Sequence, residues 1–184
     1  MVVCIARIAR IKNQMRLIEA APLILKENSS ARLVFVGPIY DSIYFRELKD
    51  AAQRLGVSDN ITFTGRITRE DLFKYLVHSD VFVLPSLAEG FPIALLEAMA
   101  CRKAIVASSI GPHCETLRKT GELGLTVDPT DAVEIAKAVN YFLSDDAARK
   151  RFGENAGKFA KSNFSWRIIA QKTLNYYERL QKKG

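Results

Sequence analysis

Two glutamates stand inside the most apolar stretch of this chain: Glu89 and Glu97, within the run from Asp80 to Ala107, DVFVLPSLAEGFPIALLEAMACRKAIVA. A carboxylate set among Ala94, Leu95, Leu96, Ala98 and Met99 is costly to bury unless something donates hydrogen bonds to it. Either an Arg or Lys from elsewhere in the chain or a ligand must supply those donors. Between the two acids lie Gly90, free to take unusual backbone angles, and Pro92, whose fixed φ and missing N–H suit the first position of a helix. The N–H groups at such a helix start are unpaired and partly positive, which favours phosphate oxygens. Acids close to a bound phosphate would be repelled, so Glu89 and Glu97 better match the neutral, hydroxyl-rich parts of the same ligand. The combination suits a sugar nucleotide.

The elements that must position these residues follow from the apolar pattern. Val81 to Leu84 is a short continuous apolar run ending at Pro85, as in a strand buried on both faces of a parallel sheet. A loop over 86–91, an almost wholly apolar helix over Ile93–Cys101 and a buried strand at Ile105–Ala107 follow. Upstream, strands are expected at Val2–Ile8, Arg32–Gly37 and Asn60–Gly65. Helices are expected at Gln14–Lys26 and Asp41–Gly56, the latter capped by Asp41 or Ser42, with another opening on Thr68. A last strand at Leu123–Val127 precedes helices at Thr130–Leu143, Asp145–Ala160 and Ser165–Leu180. Strand and helix alternate at short spacing, which predicts a doubly wound α/β sheet. Ligands of such sheets sit beyond the carboxyl ends of the strands, where Glu89 falls.

The residues now support a family resemblance. Pro85-Ser86 followed by Glu89-Gly90-Phe91-Pro92-Ile93-Ala94-Leu95-Leu96-Glu97-Ala98-Met99-Ala100 resembles the E-x7-E signature of retaining glycosyltransferases with the two-domain GT-B fold, family 4 in particular. Ala6-Arg7-Ile8-Ala9-Arg10-Ile11-Lys12-Asn13 is similar to that family's G-R-L-x-x-x-K-G/N loop, with Ala6 in place of Gly. The resemblance implies a Rossmann-like, doubly wound parallel sheet of about six strands with a helical C-terminal tail, the second half of a GT-B fold. It implies one nucleotide-sugar-binding domain over 1–184, with a core over about 1–143 and C-terminal helices over about 145–182, and no acceptor-binding N-terminal half. By the same resemblance, Arg7 and Lys12 grip the donor diphosphate and Glu89 binds hydroxyls of the transferred sugar. The backbone from Gly90 through Phe91, Pro92 and Ile93 to Ala94 meets the phosphates, Glu97 takes the ribose hydroxyls, and Gly65 and Arg66 lie near base and phosphates. The implied reaction moves a sugar from a nucleotide diphosphate to a glycan, lipid-linked or small-molecule acceptor, and the chain alone is not expected to perform it.

Departures from the pattern fall later. Arg102-Lys103-Ala104 stands where the family has G-x-P, so that turn must be built differently. Ser108–Thr116 resembles the S-D-x-G-G-x-x-E segment, with Gly111 and Glu115 kept and Pro112 removing a backbone donor. His113, Cys114 and Glu115 are adjacent residues that cannot easily converge on one ion, and a loop without metal is expected there. Phe164-Ser165-Trp166 matches the family's usual ending, with Trp166 expected as a packing anchor. No cofactor or metal is expected.

Composition bounds the alternatives. With 48% hydrophobic and 26% charged residues in 184, the chain is an ordinary globular sequence rather than a disordered one. No run approaches the ~20 apolar residues of a membrane span, and Met1–Arg7 lacks the apolar core of a signal peptide, so a cytoplasmic location is expected. The net charge of +7 suits peripheral contact with an anionic membrane face. Its basic residues are spread along the chain without an RNA- or DNA-binding motif, so no nucleic-acid partner is expected. Two rivals remain open: a glycosidase using Glu89 and Glu97 as acid and nucleophile, and a non-catalytic Rossmann-like nucleotide-binding or interaction module.

Overall fold

The computed structural model of the chain describes residues 1–117 and 121–181. Six strands form one parallel sheet: β1 (Val2–Ile5), β2 (Leu33–Val36), β3 (Ile61–Gly65), β4 (Val81–Leu84), β5 (Ala104–Ser108) and β6 (Leu125–Val127). Their order is β3-β2-β1-β4-β5-β6, and every neighbouring pair is parallel. The four inner strands are buried at every residue, which is why they read as unbroken apolar runs. The edge strands β3 and β6 are only partly covered and tolerate Thr62, Thr64 and Thr126.

Eight helices surround the sheet among the described residues: α1 (Gln14–Glu27), α2 (Ser42–Arg54), α3 (Arg69–His78), α4 (Ile93–Ala100), α5 (Gly111–Leu117), α6 (Ala132–Ser144), α7 (Asp146–Phe164) and α8 (Trp166–Gln181). Strand residues alternate between the two faces. Val2, Cys4, Phe35, Val81 and Val83 pack with Leu17 and Ile18 of α1, Leu48 of α2 and Phe142 of α6. Val3, Ile5, Val34, Phe82 and Leu84 pack with Leu76 of α3, Leu95 and Met99 of α4, and Ala156 of α7. Helix starts follow cap chemistry: the side chains of Asp41, Thr68, Asp131 and Asp145 each accept from backbone N–H groups of the first turn. None of the described helices is long and apolar enough to cross a membrane.

Several boundaries differ from expectation. Strand β1 stops at Ile5, and Ile8 keeps only an isolated bridge to Ile39, because the chain turns there into a 3-10 turn at Arg10–Lys12. Strand β6 starts at Leu125, and α7 runs on to Phe164. His113, Cys114 and Glu115, expected in a loop, instead lie in α5, which places His113 in the interior at 0% exposure. Trp166 does not anchor packing: as the first residue of α8 it is 88% exposed, since α8 buries none of its residues. Pro92 precedes the first helical residue of α4 rather than occupying it. The unusual turn at 102–104 is made by Arg102 in the left-handed region, φ 55°, under the side of α7 at Gly153 and Gly157. Residue 182, the expected end of the C-terminal helical region, lies outside the described residues.

Candidate functional site

Strand order places a topological switch between β1 and β4: the chain moves from β1 toward β2 on one side and returns to β4 on the other. The loops after β1 and β4 therefore part at the carboxyl edge, leaving the crevice where ligands of such sheets bind. Three links tie these loops together. Leu87 N–H donates to the Ile11 carbonyl at 2.9 Å. Asn13, in the left-handed region at φ 55°, donates through Nδ2 to the carbonyls of Pro85 (3.1 Å) and Pro129 (2.8 Å). Lys12 Nζ donates to Glu89 Oε2 at 2.7 Å. Asn suits this position because it takes left-handed angles more readily than other residues with a Cβ.

Lys12 and Glu89 form the most enclosed ion pair of the site, with side chains 18% and 9% exposed. The second carboxylate oxygen, Oε1, accepts from the buried Ser86 hydroxyl at 2.8 Å. Here is one of the donors that the apolar surroundings demanded. Arg7 and Arg10 do not share the carboxylate partner of Lys12. Arg10 turns to α2, where its guanidinium meets Glu47 at 2.6 Å and lies over the Tyr44 ring. Arg7 lies 4.7 Å from the centre of the Tyr40 ring and has no carboxylate partner among the described residues. The loop that carries Tyr40 can approach because of Gly37: a Cβ there would stand 2.3 Å from the Ala6 carbonyl oxygen.

Beyond Glu89 the chain runs through Gly90 and the exposed Phe91 to Pro92 and Ile93. Helix α4 opens with no side-chain cap; in its first turn the N–H groups of Ile93 and Leu95 donate to the carbonyls of Phe91 and Pro92 at 3.0 Å, and that of Leu96 to Pro92 at 3.3 Å. Ile93 is 61% exposed, and Ala94 is half-buried beside it. Glu97, one turn on, receives Arg69 NH2 at 2.8 Å, its own side chain 16% exposed and that of Arg69 76%. Arg69 is the donor that sequence reasoning missed. The signal was present as a demand, a carboxylate in an apolar helix, while the supplier lay 28 residues away in a segment read only as a helix start. Gly65 holds φ +67° at the end of the edge strand β3, two strands from β1, and Arg66 is exposed after it. Next to Glu97, a groove of about 950 Å³ opens between α4, α7 and α8, lined by Phe91, Ile93, Phe164 and Trp166 among others. Cys4 lies below the site, where burial pushes its thiol up to about 12 and leaves it protonated.

Comparison with known proteins agrees with this geometry. The family model described as Glycosyl transferases group 1 matches residues 1–159. An uncharacterized glycosyltransferase of Methanocaldococcus jannaschii is 35% identical over 178 residues, which is 97% of this chain and 44% of that protein. The GDP-mannose-dependent alpha-(1-6)-phosphatidylinositol monomannoside mannosyltransferase of Mycolicibacterium smegmatis is 33% identical over 173 residues, 90% of this chain and 44% of that protein. Among solved structures, the Anabaena protein HepE in complex with UDP aligns at a TM-score of 0.88 with 26% identity, covering 97% of this chain and 48% of that one. The chain spans less than half the length of each of these proteins. Its six-stranded parallel sheet and flanking helices match the C-terminal Rossmann-like domain of the GT-B fold.

Proposed function

Because the chain belongs to the group 1 glycosyl transferases, we propose that it is the donor-binding half of a retaining enzyme that moves a sugar from a nucleotide-diphosphate sugar to an acceptor. The observation that carries this reading is the Lys12–Glu89 pair at the β1–β4 switch, a cation for phosphate beside a carboxylate for sugar hydroxyls. Lys12 and Arg7 bind the diphosphate and take up charge as it departs, in place of a metal ion. Arg7 lies against the Tyr40 ring and has no carboxylate partner among the described residues. The backbone from Gly90 to Ala94, at the start of α4, meets the phosphate oxygens, with the N–H groups of Gly90, Phe91 and Ala94 as its donors, since Pro92 has none and that of Ile93 bonds the Phe91 carbonyl. Glu89 accepts from hydroxyls of the transferred sugar and Glu97 from those of the ribose, while Gly65 and Arg66 border the base.

The acceptor side comes from a second domain, in the same chain or another, and the present residues alone do not complete the reaction. A cytoplasmic location fits soluble nucleotide-sugar donors, and the charge of +7 would draw the protein toward anionic membrane, where lipid-linked acceptors reside. UDP and GDP sugars are both candidates, because the Anabaena neighbour holds UDP and the Mycolicibacterium relative is GDP-mannose-dependent. A glycosidase is less well supported, because each glutamate meets its own cation instead of pairing with the other across a cleft. The test is transfer from labelled UDP- and GDP-sugars by the chain alone and by a chain joined to an acceptor-binding domain. Anomeric retention in the product of the joined enzyme, and none from the chain alone, is expected. Robust turnover by the chain alone, or an inverted product, would overturn the reading.

A further inference from the structure

Behind Glu89 lies a chain of hydrogen bonds that none of the roles above uses. From it we infer that His113 is a positioning residue, which fixes the Glu89 carboxylate for the sugar of the donor; this rests on the nucleotide-sugar reading of the site. His113 sits in α5 at 0% exposure. Its Nδ1 lies 3.0 Å from the Ser108 carbonyl and 3.1 Å from the Ser108 hydroxyl. A carbonyl only accepts, so Nδ1 carries the hydrogen. Ser108 spends its own hydroxyl hydrogen on the Ser86 carbonyl at 2.5 Å, which leaves its oxygen free to accept from the imidazole. Ser86, held at its carbonyl, then donates its hydroxyl to Glu89 Oε1 at 2.8 Å.

Both oxygens of Glu89 are therefore fixed, Oε2 by Lys12 from the β1–α1 loop and Oε1 by a chain that ends on α5. The other imidazole nitrogen explains why this is more than packing. With Nδ1 protonated, Nε2 is a bare acceptor, and it is buried with no hydrogen-bond partner among the described residues. A leucine or phenylalanine would fill the same space without stranding a polar atom. The histidine is kept at a cost, and what it brings is the Nδ1–H donor. Burial pushes the imidazole below its ordinary range; the Ser108 hydrogen bond and Glu89 oppose this, and Lys12 adds to it. The ring stays neutral with one fixed tautomer.

The test compares three variants of the full chain. His113→Asn keeps an N–H near the Nδ1 position, His113→Gln moves it toward Nε2, and His113→Phe removes it. Each is titrated calorimetrically with UDP and UDP-glucose, and with GDP and GDP-mannose. The bare nucleotide does not need Glu89, and the sugar does. Expected is a loss of roughly tenfold in the affinity advantage of sugar nucleotide over nucleotide for the Phe and Gln variants, with nucleotide affinity itself held and the Asn variant like the parent. Equal weakening of both ligands, or an unchanged ratio in the Phe variant, would overturn the inference. Melting temperatures give a reading independent of ligand. In a cycle of Glu89→Gln and His113→Phe, the double variant is expected to lose less than the sum of the single losses, and strict additivity would overturn the coupling. Failure of the parent chain to bind any nucleotide would sink the donor reading, and the melting cycle would still decide the link between His113 and Glu89.

Discussion

Glu89 and Glu97 each meet a cation, but the two pairs differ in how easily they open. Arg69 is 76% exposed, and a pair anchored on such a side chain is worth about 0–1 kcal/mol, so ribose hydroxyls can displace it. Lys12 and Glu89 are enclosed, and their pair is a fixed part of the site. Replacing Glu97 with Ala is thus expected to weaken nucleotide binding by roughly tenfold, as for loss of hydrogen bonds to a charged group, whereas Arg69→Ala changes it less than about twofold. Calorimetric titration of both variants checks this, and equal losses would count against the assignment. His113 makes a pH prediction. Its pKa is depressed in the folded chain, so below the unfolded value near ~6.5 the unfolded state binds more protons. Its contribution is fully present above that value and lost as pH falls toward the folded pKa. The melting temperature of His113→Asn should fall less than the parent's between about pH 6.5 and 5. The demand for donors around two half-buried carboxylates was legible in sequence, whereas Lys12 was named through the family resemblance of its loop, for a diphosphate and not for Glu89. The hydrogen bonds made by Arg69, Ser86 and His113 were not legible, because they depend on how the folded chain brings the groups together and leave no local pattern.

Element geometry shows where sequence pattern suffices. Inner strands buried on both faces must be apolar throughout, so β1, β2, β4 and β5 stood out, as did helices opened by Asp41 and Thr68. What escaped was local: His113, Cys114 and Glu115 read as a loop, yet they lie in α5, and Trp166 reads as a packing anchor, yet it heads a helix that buries nothing. The turn at Arg102 shows why α7 needs its glycines. A Cβ at Gly153 would stand 2.2 Å from the Arg102 carbonyl oxygen, a backbone atom that cannot swing aside. Gly153→Ala is expected to cost about 1–3 kcal/mol by overpacking, despite the better helix propensity of Ala, and chemical denaturation measures it. Asp131→Ala, which deletes the α6 cap to the N–H groups of Val133 and Glu134, should cost about 1 kcal/mol in the same assay.

At the scale of the whole molecule, the site is built at the carboxyl ends of β1 and β4 in one parallel sheet. The chain spans less than half of relatives such as the Methanocaldococcus jannaschii protein, and the function proposed above assigns acceptor binding to a second domain. Donor recognition should therefore survive in this chain while turnover does not. Neither base nor sugar was legible from residues, because backbone groups and shape do much of that reading. The most direct measurement is calorimetric titration of the chain with UDP, GDP and ADP, with and without magnesium. Selective binding of one nucleotide, independent of magnesium and lost on Glu97→Ala, is the expected result; no binding of any of the three, by this chain or by one joined to an acceptor-binding domain, would contradict a donor site at the β1–β4 switch.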